Sequence, residues 1–181
     1  MNSHEQRKKD LEKHDLELFL QEHEIVTEER THIVESRERP DFIVQRGSEL
    51  FGVELVQVVE SPEMRFFRQS FYMDEQIDLS DASVRIQEAI YNKEEMRQSR
   101  DWAYYDSTIL VVQLRQTSST EIFSYLEEEI ISEISATGFV EIWLMDHGPE
   151  EEYGTVELIC VKPECWRGLY RHSLYGNKPY G

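Results

Sequence analysis

Little in this 181-residue chain can cross-link or punctuate it: there are two cysteines, five prolines and eight glycines. Cys160 and Cys165 have no neighbouring second pair, so their spacing does not match a zinc site and they read as two reduced thiols in or near a strand. No run of 18 or more apolar residues exists, so no segment reads as a transmembrane helix. The opening, Met1 to Asp10, is polar and charged rather than basic and then apolar, so a cytoplasmic protein with no membrane partner is expected. There is no P-loop, GxGxxG or GxSxG. The six histidines show no HExxH or His-x-His spacing, and His147, before Gly148-Pro149, reads as a turn residue.

Basic residues are missing from one long stretch. Between Gln116 and Val161 there is no Lys or Arg, while the segment carries 11 of the 37 Asp and Glu. The net charge of −18 excludes a grip on nucleic acid by bulk electrostatics, because phosphate contacts require cations. Outside the base-free stretch, 26 acids face 19 bases, and Arg65, Arg68, Arg85, Lys93, Arg97 and Arg100 share one region. A polarised surface follows, with an acidic flank at 116–161 that would suit a basic protein partner.

What is present is enough for one core. With 39% hydrophobic and 11% aromatic residues, a single domain over 1–181 is expected. Hydrophobic periodicity predicts a helix over Lys8–Gln21, strands over Glu28–Glu35, Asp41–Gln45 and Leu50–Val59, and a helix over Asp81–Met96. Then come a strand at Thr108–Leu114, an acidic helix at Thr120–Ala136, and strands at Val140–Met145 and Thr155–Val161. Arg37–Pro40 and Gly47-Ser48 are turns, and 60–78 is an insertion with Phe66, Phe67, Phe71 and Tyr72. The class is α/β.

Two places break this pattern. Along Asp81–Met96 the apolar stripe is drawn by Ala82, Ile86, Ala89, Ile90 and Met96, and Lys93 falls near its middle, at i+7 from Ile86 and i+3 from Ile90. Glu54 is embedded in a nearly continuous apolar strand. A core-facing ammonium and a buried carboxylate each need a partner. Asp41, after Pro40, is a second acid at a strand start.

Arg39-Pro40-Asp41-Phe42, a hairpin, and then Gly52-Val53-Glu54-Leu55-Val56 resemble the first two motifs of the PD-(D/E)XK nuclease superfamily. In that superfamily a Pro-Asp opens one strand and an acid-x-Lys lies on the next. The resemblance spans about Lys8 to Leu114 and implies a restriction-endonuclease-like αβββαβ core, a central mixed sheet flanked by helices, here with an additional C-terminal helix and strands. One position departs from the motif. Val56 stands where the lysine belongs, on the same strand face as Glu54. Some members take their lysine from the following helix, and Lys93 is placed to do so; Gln57, at i+3 from Glu54, is a weaker substitute because it falls on the opposite face.

The resemblance implies a nuclease that cuts DNA, or RNA as the lesser choice, with Mg²⁺ or Mn²⁺ held by Asp41, Glu54 and the Leu55 carbonyl, while Lys93 acts on the attacking water or the phosphate. Gln87 and Tyr91, at i and i+4, match a glutamine-x-x-x-tyrosine motif of some members and would be supplementary contacts. Lys162, Arg167, Arg171 and Lys178 alternate with Trp166, Tyr170, Tyr175 and Tyr180 in a tail that would pack on its own domain, on a second copy in a homodimer, or on nucleic acid. Two alternatives stand beside the nuclease: an inactive nuclease fold serving as an acidic, immunity-type scaffold, and an unrelated α/β domain with a buried Lys–Glu pair.

Overall fold

The computed structural model describes residues 3–59, 79–99, 102–104, 106–167, 169–172 and 176–179. The aromatic insertion at 60–78, with Arg65 and Arg68, and also Arg100, lie outside the described residues. Helix α1 (Ser3–Thr27) leads into three strands, β1 (Thr31–Ser36), β2 (Phe42–Arg46) and β3 (Glu49–Val58). Helix α2 (Leu79–Arg97) crosses to β4 (Thr108–Leu114), and two short helices, α3 (Ser119–Tyr125) and α4 (Glu128–Ser135), precede β5 (Glu141–Asp146). A single turn, α5 (Glu150–Tyr153), leads to β6 (Glu157–Lys162), and strands β7 (Leu169–His172) and β8 (Gly176–Pro179) extend that edge. No helix among the described residues is long and apolar enough to cross a membrane.

The strands lie in chain order in one open mixed sheet. β1, β2 and β3 form an antiparallel meander, β3, β4 and β5 are parallel, and β6 to β8 are antiparallel again. Each of the two parallel steps is bridged by a helical crossover, α2 for the first and α3 with α4 for the second, as parallel pairing requires. β4 is buried at all seven positions, which explains a β-branched and leucine composition that only Gln113 interrupts. On one face Leu16, Phe19 and Leu20 of α1 pack with Phe42, Val53, Leu55, Val111 and Trp143. On the other, Ala82, Ile86 and Ile90 of α2 join Leu110, Val112, Ile122, Ile134 and Leu144.

Three expectations are corrected. The first helix is longer at both ends than the apolar pattern marks, because its extra turns are charged residues with good helix propensity, and it stops where Glu28 takes φ +60°. The stretch 120–136 is two helices, broken where Leu126 and Glu127 are extended. In one continuous helix Ile122 and Ile131 would point about 180° apart. The break turns the second segment so that both are buried in the same cluster. The α2 stripe ends on Arg97, 3% exposed, while Met96 is 39% exposed. Arg97 Nε and Nη2 donate to the two Glu94 oxygens at 2.9 and 2.8 Å, the guanidinium lies 5.5 Å from the Phe139 ring, and a Cβ at Gly138 would come within 1.7 Å of it.

A second buried charge ties the layers together. Glu141 accepts from Trp143 Nε1 at 2.8 Å, lies 3.0 Å from His23 Nε2 and pairs with Arg46 at 2.6 Å. Burial works to raise its pKa; the His23, Arg46 and Trp143 contacts outweigh it and hold the carboxyl below the usual 4.5. Its stabilising effect is therefore present above 4.5 and is lost as the pH falls. Glu141→Gln should cost about 1–3 kcal/mol near neutral pH in urea denaturation and flatten the acid limb of the stability profile, because the half-buried Arg46 is left with Glu29 as its one carboxylate partner. A variant whose acid limb matches wild type would contradict this assignment.

Candidate active site

The β2–β3 hairpin turns through Gly47-Ser48, with Gly47 at φ +60°, and pairs Arg46 with Glu49 and Phe42 with Val53. One step further along this register, Asp41 stands opposite Glu54. The two residues clasp each other through the backbone: the Asp41 N–H donates to Glu54 Oε2 at 3.1 Å, and the Leu55 N–H donates to Asp41 Oδ2 at 2.8 Å. The N–H and C=O of a strand residue point to the same side, so the Leu55 carbonyl also faces the Asp41 edge. Gly52 makes this approach possible, since a Cβ there would lie 2.5 Å from Pro40 Cγ.

Lys93 arrives from α2 on the Glu54 side of the sheet. Its Nζ donates to Glu54 Oε1. The Glu54 side chain is 2% exposed and that of Lys93 19%, so the ammonium links a buried carboxylate to the rim. Burial, and next the neighbouring Glu54 charge, push Asp41 up to about 7, against the Leu55 N–H and Lys93, while Glu12 adds to the rise. Burial also raises Glu54 despite Lys93. Two carboxyls that resist ionising together form a pocket that favours an added cation.

Sequence reasoning missed the α1 side of this pocket. Glu12, paired with Lys8 at 3.4 Å, is close enough to act on both carboxyls. Glu5, Lys8, Lys9, Glu12, Arg37, Glu38 and Asp41 line a cleft of about 380 Å³, so cations do border Asp41, though not those the sequence grouped. A charged helix face is usually only solvated, and nothing in its spacing marks Glu12.

The remaining candidates lie apart. Gln57 is exposed and pairs in regular register with Gln113, so no bulge turns it toward Glu54. Gln87 donates to Ser83 within α2, and Tyr91 donates to Glu133 of α4 at 3.1 Å. Tyr91 and Lys93 are about 200° apart around the helix. α2 thus separates Lys93 from the acidic pair α3 and α4, which lie on the same sheet face. Arg85 pairs with Asp81 and Glu88, and Arg97 with Glu94, so neither is directed at Asp41.

Comparison with known proteins leaves the site to be judged on its own geometry: no family model, no curated protein and no solved structure matches the chain.

Two outcomes follow from this geometry. Gly52→Ala should displace Pro40 and loosen Asp41, weakening any ligand held between Asp41 and Glu54 by roughly tenfold or more while costing about 1–3 kcal/mol of stability. Divalent-metal calorimetry beside denaturant melts checks it; unchanged binding would show that Pro40 does not set Asp41. In chelator, the folded state keeps a proton on Asp41 that the unfolded chain has released, so this group's contribution declines as the pH rises from 3.8 to about 7. Asp41→Asn should therefore gain on wild type between about pH 5 and about pH 8 in urea midpoints, and parallel profiles would contradict the raised carboxyl.

Proposed function

We propose that the protein is a divalent-metal-dependent nuclease with a restriction-endonuclease-like core, acting on DNA first and RNA second. The reading rests on one observation: Asp41 and Glu54 face each other across a hairpin, with Lys93 of the following helix on Glu54. The order helix, three-strand meander, crossover helix and parallel strand supports it, as does the resemblance of the Pro40-Asp41 and Glu54-x-Val56 segments to the superfamily's motifs.

The donor set fits a hard cation. Asp41, Glu54 and the Leu55 carbonyl offer only oxygen, which suits Mg²⁺ or Mn²⁺. When bound, such an ion supplies charge that polarises a phosphoryl oxygen and acidifies water. The chain's own groups do the rest. Asp41 and Glu54 give up the residual proton to hold the ion. Lys93, released from Glu54, carries its ammonium to the attacking water or to the charge growing on phosphorus. Lys8, Lys9 and Arg37 draw the substrate backbone into the cleft despite the net charge.

A second reading has one observation in its favour: Lys93 neutralises Glu54 with no ion required. On that reading the fold is an inactive scaffold whose 116–161 flank meets a basic protein. Mn²⁺ calorimetry with cleavage assays on single- and double-stranded DNA and on RNA separates the two. Glu54→Gln should abolish both binding and cleavage. Lys93→Ala should keep Mn²⁺ affinity within about threefold and lower turnover about 100-fold. A wild-type protein that binds no Mn²⁺ and cuts nothing leaves the scaffold.

A further inference from the structure

A cleft of about 490 Å³ opens at the tip of the β2–β3 hairpin, lined by Glu29, Arg30, Arg46, Glu49, Phe51 and Trp166. Asp41 stands at the other end of β2, about 16 Å away along the strand, so the proposed metal pocket makes no use of it.

The walls of this cleft are fixed by the fold. Arg46 Nη1 lies 2.6 Å from Glu141 Oε1 and 3.1 Å from Glu29 Oε2, and the guanidinium sits over the Phe51 ring at 4.2 Å. Nε and Nη2 of Arg46 make no hydrogen bond among the described residues, so a guanidinium anchored through Nη1 still has donors to offer. Glu29 is placed by the exit of α1, where Thr27 Oγ1 donates to the His23 carbonyl at 2.7 Å and accepts the Glu29 N–H at 3.3 Å. Pairing of Thr31 with Arg46 sets Arg30 beside the hairpin tip, and Arg30 has no ion pair or hydrogen bond among the described residues. Trp166 reaches the cleft from the 3-10 turn Glu164–Trp166. Its half-buried ring is backed by His23 and Trp143, each at 6.3 Å.

An indole beside a carboxylate and a fixed guanidinium can read an unpaired base, which needs a π-face to stack on and polar groups for its edge. The edge decides which base. Guanine sets two adjacent donors, N1–H and the 2-amino group, next to two acceptors, O6 and N7. A carboxylate takes the donors and a guanidinium the acceptors. Glu29 and Arg46 stand side by side as that complement. Adenine and cytosine put a ring acceptor beside their amino group, and a carboxylate repels it. We propose that this cleft binds guanine stacked on Trp166, with its donors on Glu29, O6 and N7 on Arg46, and the 5′-phosphate on Arg30. A neutral base needs no positive field, so the net charge of −18 does not oppose its recognition. Glu49 at the rim repels further phosphates, so the ligand is a nucleoside monophosphate or one nucleotide of a single strand. The inference does not rest on the nuclease reading.

The test titrates the full chain, in chelator so that no strand is cut, with GMP, AMP, guanosine and short single strands of dG or dA. Calorimetry and tryptophan fluorescence are the readouts. GMP should bind at one equivalent, quench Trp166, and exceed AMP roughly tenfold in affinity. Glu29→Gln should bring GMP down to the AMP level, Arg30→Ala should bring it down to guanosine, and Trp166→Ala should weaken every base roughly tenfold. A dG strand that binds more tightly than GMP makes a strand the source of the base, and the reverse makes it a free nucleotide; both support the site. Absence of saturable binding by GMP and by the dG strand overturns it. So does equal affinity for GMP and AMP, or binding that Asp41→Asn abolishes while Glu29→Gln leaves it intact. If Trp166→Ala fails to fold by circular dichroism, the exposed Glu29 and Arg30 variants decide.

Discussion

A carboxylate in the middle of a buried strand is the constraint around which this structure is arranged. Glu54 has hydrophobic neighbours along β3 and almost no water, so an unpaired charge there would be untenable. Three elements answer it: the hairpin brings the Asp41 N–H to one oxygen, α2 brings Lys93 to the other, and Gly52 lets Pro40 close over the strand. The arrangement is not one that stability alone favours, since buried ion pairs seldom outperform apolar packing. Asp41 beside Glu54 adds a second carboxyl that the fold holds partly against its own ionisation. Such a cost is understandable where charge is to be received from outside, which is the basis of the nuclease reading.

The charge distribution also follows from the fold rather than from composition. Several acids of the base-free stretch are occupied internally. Glu141 is surrounded by His23, Arg46 and Trp143, and Asp146 caps backbone N–H groups. α3 and α4 carry Glu121, Glu128, Glu129 and Glu133 on the far side of α2 from Lys93, where Tyr91 bridges to Glu133, while Glu150 lies on α5 and Glu157 on β6. The cations that border the candidate cleft come from α1 and the β1–β2 turn.

Much of the architecture was legible because hydrophobic period and length set it. Thr108–Leu114 is the predicted strand to the residue, since seven consecutive buried positions leave no other reading. Lys93 and Glu54 announced themselves as polar residues in apolar patterns. The hairpin turn even carried the register: with Gly47-Ser48 as the loop, Asp41 must oppose Glu54. What stayed hidden depended on long-range contact. Glu12 looks like any solvated helix charge, and Arg97 looks like a surface residue until Glu94 and Phe139 surround it. His147 reads as a turn residue and does begin one, but its burial against Glu150 and α1 has no local signature. The break at Leu126-Glu127 has no proline or glycine to mark it, and only the need to bury Ile131 beside Ile122 requires it.

The central claim is that Asp41 and Glu54 form a cation pocket from which Lys93 can be released. Anomalous diffraction from crystals soaked in Mn²⁺ tests it most directly. The account predicts a peak bounded by the two carboxylates and the Leu55 carbonyl, with Lys93 Nζ withdrawn from Glu54 toward the cleft. An empty pocket at saturating Mn²⁺, with Lys93 still bonded to Glu54, would contradict it and make the pair a structural one.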